Sequence, residues 1–152
     1  MAERLTIWNV VIDGIDKTGK DTIVQYVWRL SKKRYECHAR GVLSMIAYAE
    51  LFNRDVRYNL YREHNVLNVR LTVDKDDWKI RCAVTKEPEI DYDAHTKAFD
   101  FAEQILASHK IPVLTYNTSH CTPYEIAQDI VARLDEINAY QNAKYDREVF
   151  RK

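Results

Sequence analysis

The sequence predicts a three-layer α/β domain with a mainly parallel central sheet of about four strands. Three observations lead there. Runs rich in β-branched and aromatic residues alternate with stretches of helical spacing along most of the chain. Of only three glycines in 152 residues, two, Gly14 and Gly19, sit between the first such run and the first amphipathic stretch, where a backbone must turn tightly or be closely approached. A hydrophobic content of 46% supports one core and excludes a disordered segment. Charge is balanced, with 23 Lys+Arg against 23 Asp+Glu, which argues against holding nucleic acid through bulk positive charge while leaving a local basic face open.

Residues 5–12 read as a buried strand ending at Asp13 and Gly14. Residues 22–33 follow as a helix, with Ile23, Val24, Val27 and Leu30 on one stripe. A short strand is expected over 35–39, a helix over 42–52, and a tyrosine- and arginine-rich stretch over 53–65. Then come a strand at 66–73, a helix at 76–83, an acidic loop with Pro88 at 85–93, and an amphipathic helix at 94–109. Residues 111–116 form a strand that Pro112 places at an edge or a start. Thr122, Pro123 and Glu125 have the spacing of a capped helix start, opening a helix over 124–139. Residues 1–140 are read as one domain and 141–152 as a polar tail or frayed helix.

Cys37, Cys82 and Cys121 are odd in number and lack zinc-type spacing, so they read as buried or half-buried thiols. No apolar run approaches ~20 residues and the first residues lack a secretory h-region, so the expectation is a soluble, cytoplasmic protein without a membrane partner.

The chemistry concentrates in residues 14–20, which match the GxxxxGK phosphate-binding loop between a strand and a helix. In such a loop, backbone N–H groups converge on a phosphate and the next helix adds its N-terminal partial charge. Lys20 would reach the β and γ oxygens of a nucleoside triphosphate. The fold expected is therefore of the P-loop NTPase type, with Gly14, Thr18, Gly19, Lys20, Asp21 and Thr22 holding ATP. At position 21 the motif calls for Ser or Thr, and this chain has Asp21. A carboxylate is a suitable hard-oxygen partner for Mg²⁺ but repels phosphates without the metal, so a strict magnesium requirement is expected, with Asp21 as the metal residue. Thr22 is left open between packing, capping and a phosphate contact. Lys17 is placed to stabilise the charge that phosphoryl transfer spreads over equatorial oxygens.

Residues 12–22 resemble the phosphate loop of thymidylate kinases, in which an acidic residue, Gly, an aliphatic, Asp and often a basic residue precede Gly-Lys-Ser/Thr-Thr. The resemblance implies a nucleoside monophosphate kinase with ATP and Mg²⁺. It implies that Asp16 contacts the acceptor sugar, with Asp13 on the same side, and that Lys17 assists γ-phosphoryl transfer. Arg40, Ser44, Ala47 and Tyr48 are in step with the family's Asp-Arg-aromatic segment and following helix, although Ala39 stands where the aspartate would be. Arg40 is then a phosphate clamp for the acceptor and Tyr48 a contact to it, while Asp21, Asp13 or Glu36 substitutes for the missing carboxylate. Residues 69–81 are similar to the strand and helix before the lid of nucleotide kinases. Arg81 is catalytic in that alignment and the lid covers about 82–92. The family's Arg-Phe-Pro acceptor segment has no counterpart, and the short, divergent form suggests a phage or viral origin, hence host cytoplasm.

Three functions follow. The first is transfer of the ATP γ-phosphoryl group to a pyrimidine deoxynucleoside monophosphate, dTMP or a modified dUMP, in a monomer or homodimer. The second keeps the ATP site but phosphorylates a hydroxyl on DNA, a strand end or a 5-hydroxymethyluracil base; Arg54, Arg57 and Arg62 interleaved with Tyr58 and Tyr61 motivate it. The third is a non-catalytic ATP-binding regulator, motivated by Asp21 and Ala39.

Overall fold

The computed structural model of the chain describes residues 9–86 and 90–150, the last ten as backbone. The first four residues of the expected strand at 5–12, and 87–89 of the expected lid, lie outside the described residues. In chain order the elements are β1 (Asn9–Gly14), α1 (Lys20–Leu30), β2 (Glu36–Ala39), α2 (Val42–Leu51), a 3₁₀ helix (Leu60–Asn65), β3 (Val66–Thr72), α3 (Lys75–Thr85), α4 (Tyr92–Ser108), β4 (Val113–Asn117) and α5 (Pro123–Phe150). All pairings are parallel, in the order β2-β1-β3-β4.

Side chains alternate across a strand, so each strand addresses two helical layers. Val10 and Ile12 of β1 and Leu67, Val69 and Leu71 of β3 pack against Ile23 and Val27 of α1 and Ile126, Ile130 and Leu134 of α5. The other layer joins Leu43 and Ile46 of α2, Trp78 and Cys82 of α3, and Phe99, Ala102 and Leu106 of α4. The three-layer α/β expectation is met, with four parallel strands.

The helix ends follow local chemistry. Asp91 accepts from the backbone N–H of Ala94 (3.0 Å), which starts α4 two residues earlier than the apolar spacing indicates. At the head of α5, Thr122 Oγ1 accepts from the Glu125 N–H (3.2 Å) and donates to the Glu125 carboxylate (2.9 Å), so the residues expected to cap this helix do so. The α5 backbone continues through the expected tail to Phe150, and α3 extends through Cys82 to Thr85, so the lid segment begins inside a helix. Cys37 and Cys121 are half-buried and Cys82 is buried, and none of the three is in a disulfide. Among the described residues no helix is long and apolar enough to cross a membrane.

Candidate functional site

Helix α1 leaves one face of the sheet while α2, from the neighbouring strand β2, packs on the other. The carboxyl end of β1 therefore lies at the crevice where doubly wound sheets bind ligands. Residues 15–19 connect β1 to α1 there. Gly14 is obligatory: a Cβ on it would come within 2.6 Å of the Leu71 carbonyl oxygen, and its φ is +155°. Thr18 is buried and its hydroxyl donates to the Ile15 carbonyl (2.8 Å), bracing the loop from within. The Lys20 ammonium donates to the carbonyls of Gly14 (2.8 Å) and Ile15 (2.9 Å), bridging the start of the loop. Burial lowers the Lys20 pKa from its ordinary value, opposed by the charges of Asp16, Asp13 and Asp21.

Beside this loop lies an open cavity of about 420 Å³ lined by Asp16, Lys17, Gly19, Lys20, Asp21, Thr22 and Arg40. Three cations thus meet at the head of α1, whose N-terminal partial positive charge adds to theirs. Lys17 and Arg40 both have left-handed backbones, each with φ 68°. The other five non-glycine residues with positive φ all follow helix ends, where that conformation is an ordinary way to stop. Lys17 and Arg40 have no such excuse, and both line the cavity, as expected of strain held at a site.

Arg40 is positioned from below. Asp13 is wholly buried on the α2 side of β1, and one carboxylate oxygen accepts from the Gly41 N–H (2.8 Å) and the Ser44 hydroxyl. This anchors the turn at the N-terminus of α2. Gly41 permits the approach, since a Cβ there would lie 2.3 Å from Val11 Cγ1. Asp13 therefore faces α2 and holds the turn that carries Arg40. Burial raises the Asp13 pKa, countered by its hydrogen bonds to Ser44 and Gly41 and by the charge of Lys20. Asp16, across the cavity, pairs with the Arg40 guanidinium at 3.8 Å. Glu36 opens β2 beside Asn9, three residues upstream of Ala39, and pairs with His38 (3.5 Å), so of the three acidic candidates it lies away from the loop.

Arg81 joins three elements. From α3 its guanidinium donates to the Lys17 carbonyl (2.9 Å), to the Thr118 hydroxyl (2.9 Å) and to the Thr118 carbonyl (3.0 Å). It thus clips the strained turn at Lys17 to the loop after β4. Tyr48 is half-buried on α2, edge-on to Phe99 and His95 of α4 and stacked on Phe52. Burial, reinforced by the charge of Asp16 and opposed by that of Arg40, raises its pKa.

Sequence reasoning missed Asn68 and Arg70. Both are buried on the central strand β3, facing α4. The Arg70 guanidinium donates to Asp100 (2.6 Å), Glu103 (3.0 Å) and the Thr96 carbonyl (3.3 Å), and lies 5.9 Å from the Phe99 ring centroid. It pins the helix that backs Tyr48. The available signal was Asp100 and Glu103, three apart on one face of a helix otherwise packed by apolar residues.

For a metal, Asp21 and Thr22 supply one carboxylate and one hydroxyl at the cavity wall. Among the described residues no group of three His, Cys, Asp or Glu side chains could hold an ion alone. The donor set fits Mg²⁺, which keeps waters and relies on substrate phosphate oxygens for much of its shell.

The parallel sheet, its two helical layers and the strand–loop–helix at β1 together make this a three-layer α/β domain with a parallel central sheet. Among solved structures, the chain is similar to the YorR protein of Bacillus subtilis, crystallised in complex with phosphorylated GDP. The TM-score is 0.68 at 15% sequence identity, covering 84% of this chain and 95% of that one. At that identity the likeness is one of fold. No protein-family model matches the sequence, and no curated protein does.

Proposed function

We propose that the chain is an ATP-dependent phosphotransferase acting on a deoxynucleotide. The observation that carries this reading is the cavity in which Lys17, Lys20 and Arg40 converge on the head of α1. Such a cluster suits a triphosphate tail on the loop side and a second anionic group at Arg40. The nucleotide complex of the similarly folded YorR protein supports the same reading.

Lys20 and the loop amides would hold the β and γ phosphates, and Lys17 would offset charge on the transferred group. Arg40 and Asp16 would orient the acceptor so that its oxygen lies in line with the γ-phosphorus. As the new O–P bond forms, the bond from the γ-phosphorus to the bridging oxygen breaks and ADP leaves. Magnesium, held by Asp21 with Thr22 nearby, would supply charge neutralisation between the phosphates and the Asp21 carboxylate. Arg81, already engaged by protein groups, would act by positioning Lys17.

The phosphate-loop resemblance supports a pyrimidine deoxynucleoside monophosphate as acceptor. Its phosphate oxygen is already ionised and needs no base. The second reading, a hydroxyl on DNA, is favoured by the exposed aromatic and arginine residues after α2. A hydroxyl must lose its proton, and Asp16 is the carboxylate facing the acceptor side. A coupled assay with Mg·ATP and each common deoxynucleoside monophosphate, run beside an oligonucleotide, tests both. Turnover of a monophosphate establishes the first, labelling of the oligonucleotide the second, and transfer to neither refutes the kinase reading.

A further inference from the structure

The segment that links α2 to β3 lines none of the cavity described above, yet it carries a cluster of exposed rings. Phe52 is 53% exposed and Tyr61 81%, with Val56 and Tyr58 between them also exposed. Arginines are interleaved with them: residues 52–62 hold Arg54, Arg57 and Arg62 against Asp55 as the one acidic residue. Among the described residues none of these arginines pairs with a carboxylate. By contrast, exposed Arg34 and Arg133 are each committed to an aspartate at 2.7 and 2.8 Å. Arg54 instead lies 5.0 Å over the Phe52 ring.

The segment is also held in place. Leu60 is buried in the α2–α4 core, and Asn59 accepts from the Tyr61 N–H at 3.0 Å, fixing the turn that presents Tyr58 and Tyr61. Phe52 stacks on Tyr48, with centroids 6.1 Å apart and planes within 14°. Tyr48 in turn lies close enough to Asp16 and Arg40 to feel their charges. Helix α2 thus leads from the turn of Arg40 to the stacked Tyr48 and Phe52, and Phe52 to Arg54. Helix α2 spans ten residues, or ~15 Å, so the far end is beyond a single nucleotide seated at Arg40. Exposed rings set among unpaired guanidinium groups match the alternation of base faces and phosphates along an unpaired strand.

We propose that residues 52–62 are a docking tract for single-stranded nucleic acid. In the part that concerns Arg40 the inference rests on the second of the two phosphotransferase readings, in which the group presented to Arg40 belongs to a strand. Strand binding itself needs no ATP and stands or falls separately.

The test is fluorescence anisotropy with labelled oligothymidylate and oligouridylate of about 12 nucleotides, without ATP, alongside a duplex of the same length. The native chain is expected to bind the single strands in preference to the duplex. Tyr58→Ala and Tyr61→Ala should each weaken binding about tenfold. The triple variant Arg54→Gln, Arg57→Gln, Arg62→Gln should reduce the slope of log affinity against log salt by about 2. Mg·ATP titrations of the same variants should match those of the native chain, which shows that they are folded. Preference between the two oligonucleotides identifies the strand as DNA or RNA. Absence of single-strand binding by a chain that binds Mg·ATP overturns the tract and leaves the kinase reading intact. Equal binding by native and variant chains, or preference for the duplex, also overturns it. Strand binding without ATP binding upholds the tract and removes the kinase reading.

Discussion

The two faces of the central sheet are built from the same strands and differ sharply in chemistry. On the α1–α5 face, β1 and β3 contribute only aliphatic side chains: Val10, Ile12, Leu67, Val69 and Leu71. On the opposite face, the intervening positions of those strands include Asp13, Asn68, Arg70 and Thr72. Each of the first three is buried; Asp13 fixes the turn of Arg40, which lines the cavity, and Arg70 fixes the helix behind Tyr48. Burying polar groups costs stability unless they are paired. The difference teaches that one face is a pure packing surface and that the other carries buried polar groups that fix the turn of Arg40 and the helix behind Tyr48.

That comparison can be broken most directly at Arg70. Arg70→Ala removes a buried side chain and its charge-assisted hydrogen bonds to Asp100 and Glu103, and should lower stability by about 2 to 4 kcal/mol, read from denaturant melts. At temperatures where the variant stays folded, its KM for the acceptor should rise while that for ATP holds. On the packing face, Leu134→Ala should cost about 2 to 4 kcal/mol and leave both KM values unchanged. If Leu134→Ala shifts the acceptor KM as much as Arg70→Ala does, the division between the faces is wrong.

The smallest effect sharpens the role of Asp13. Its carboxyl has a pKa raised by burial, so the folded state binds that proton more tightly than the unfolded chain. Its stabilising contribution is full below the unfolded pKa and is lost as pH rises through the folded one. Asp13→Asn keeps an acceptor for Gly41 and Ser44 and removes the titration. It should alter stability within about 1 kcal/mol and flatten the dependence of the melting temperature on pH above the ordinary carboxylate range. An unchanged profile would show that Asp13 is not the titrating group.

The same contrast explains what was legible in the sequence. Alternation of strands and helices, the turn at Gly14 and the cap at Thr122 are local, and the structure has them where the residues indicate. The aliphatic face of β1 and β3 was equally readable. Arg70 was not, because a lone arginine in a strand reads as a solvent-facing residue until a helix 26 to 33 residues away supplies Thr96, Asp100 and Glu103. Arg81 was noticed, but its engagement with the Lys17 and Thr118 carbonyls joins loops 64 and 37 residues away, which spacing cannot reveal. Aromatic residues at the spacing of Phe52, Tyr58 and Tyr61 are more often core than base-stacking surfaces, and only their exposure shows that these are not core.

The central claim is that the loop between β1 and α1, with Lys17 and Lys20, forms a seat for a triphosphate tail. Isothermal titration of Mg·ATP into the native chain and into Lys20→Ala tests it most directly. A saturable heat in the native chain that drops at least tenfold in affinity in a folded Lys20→Ala variant, with loss of a salt-sensitive charge contact of about 1.4 kcal/mol or more, is the predicted result. No heat in the native chain, or equal affinity in both, would contradict it.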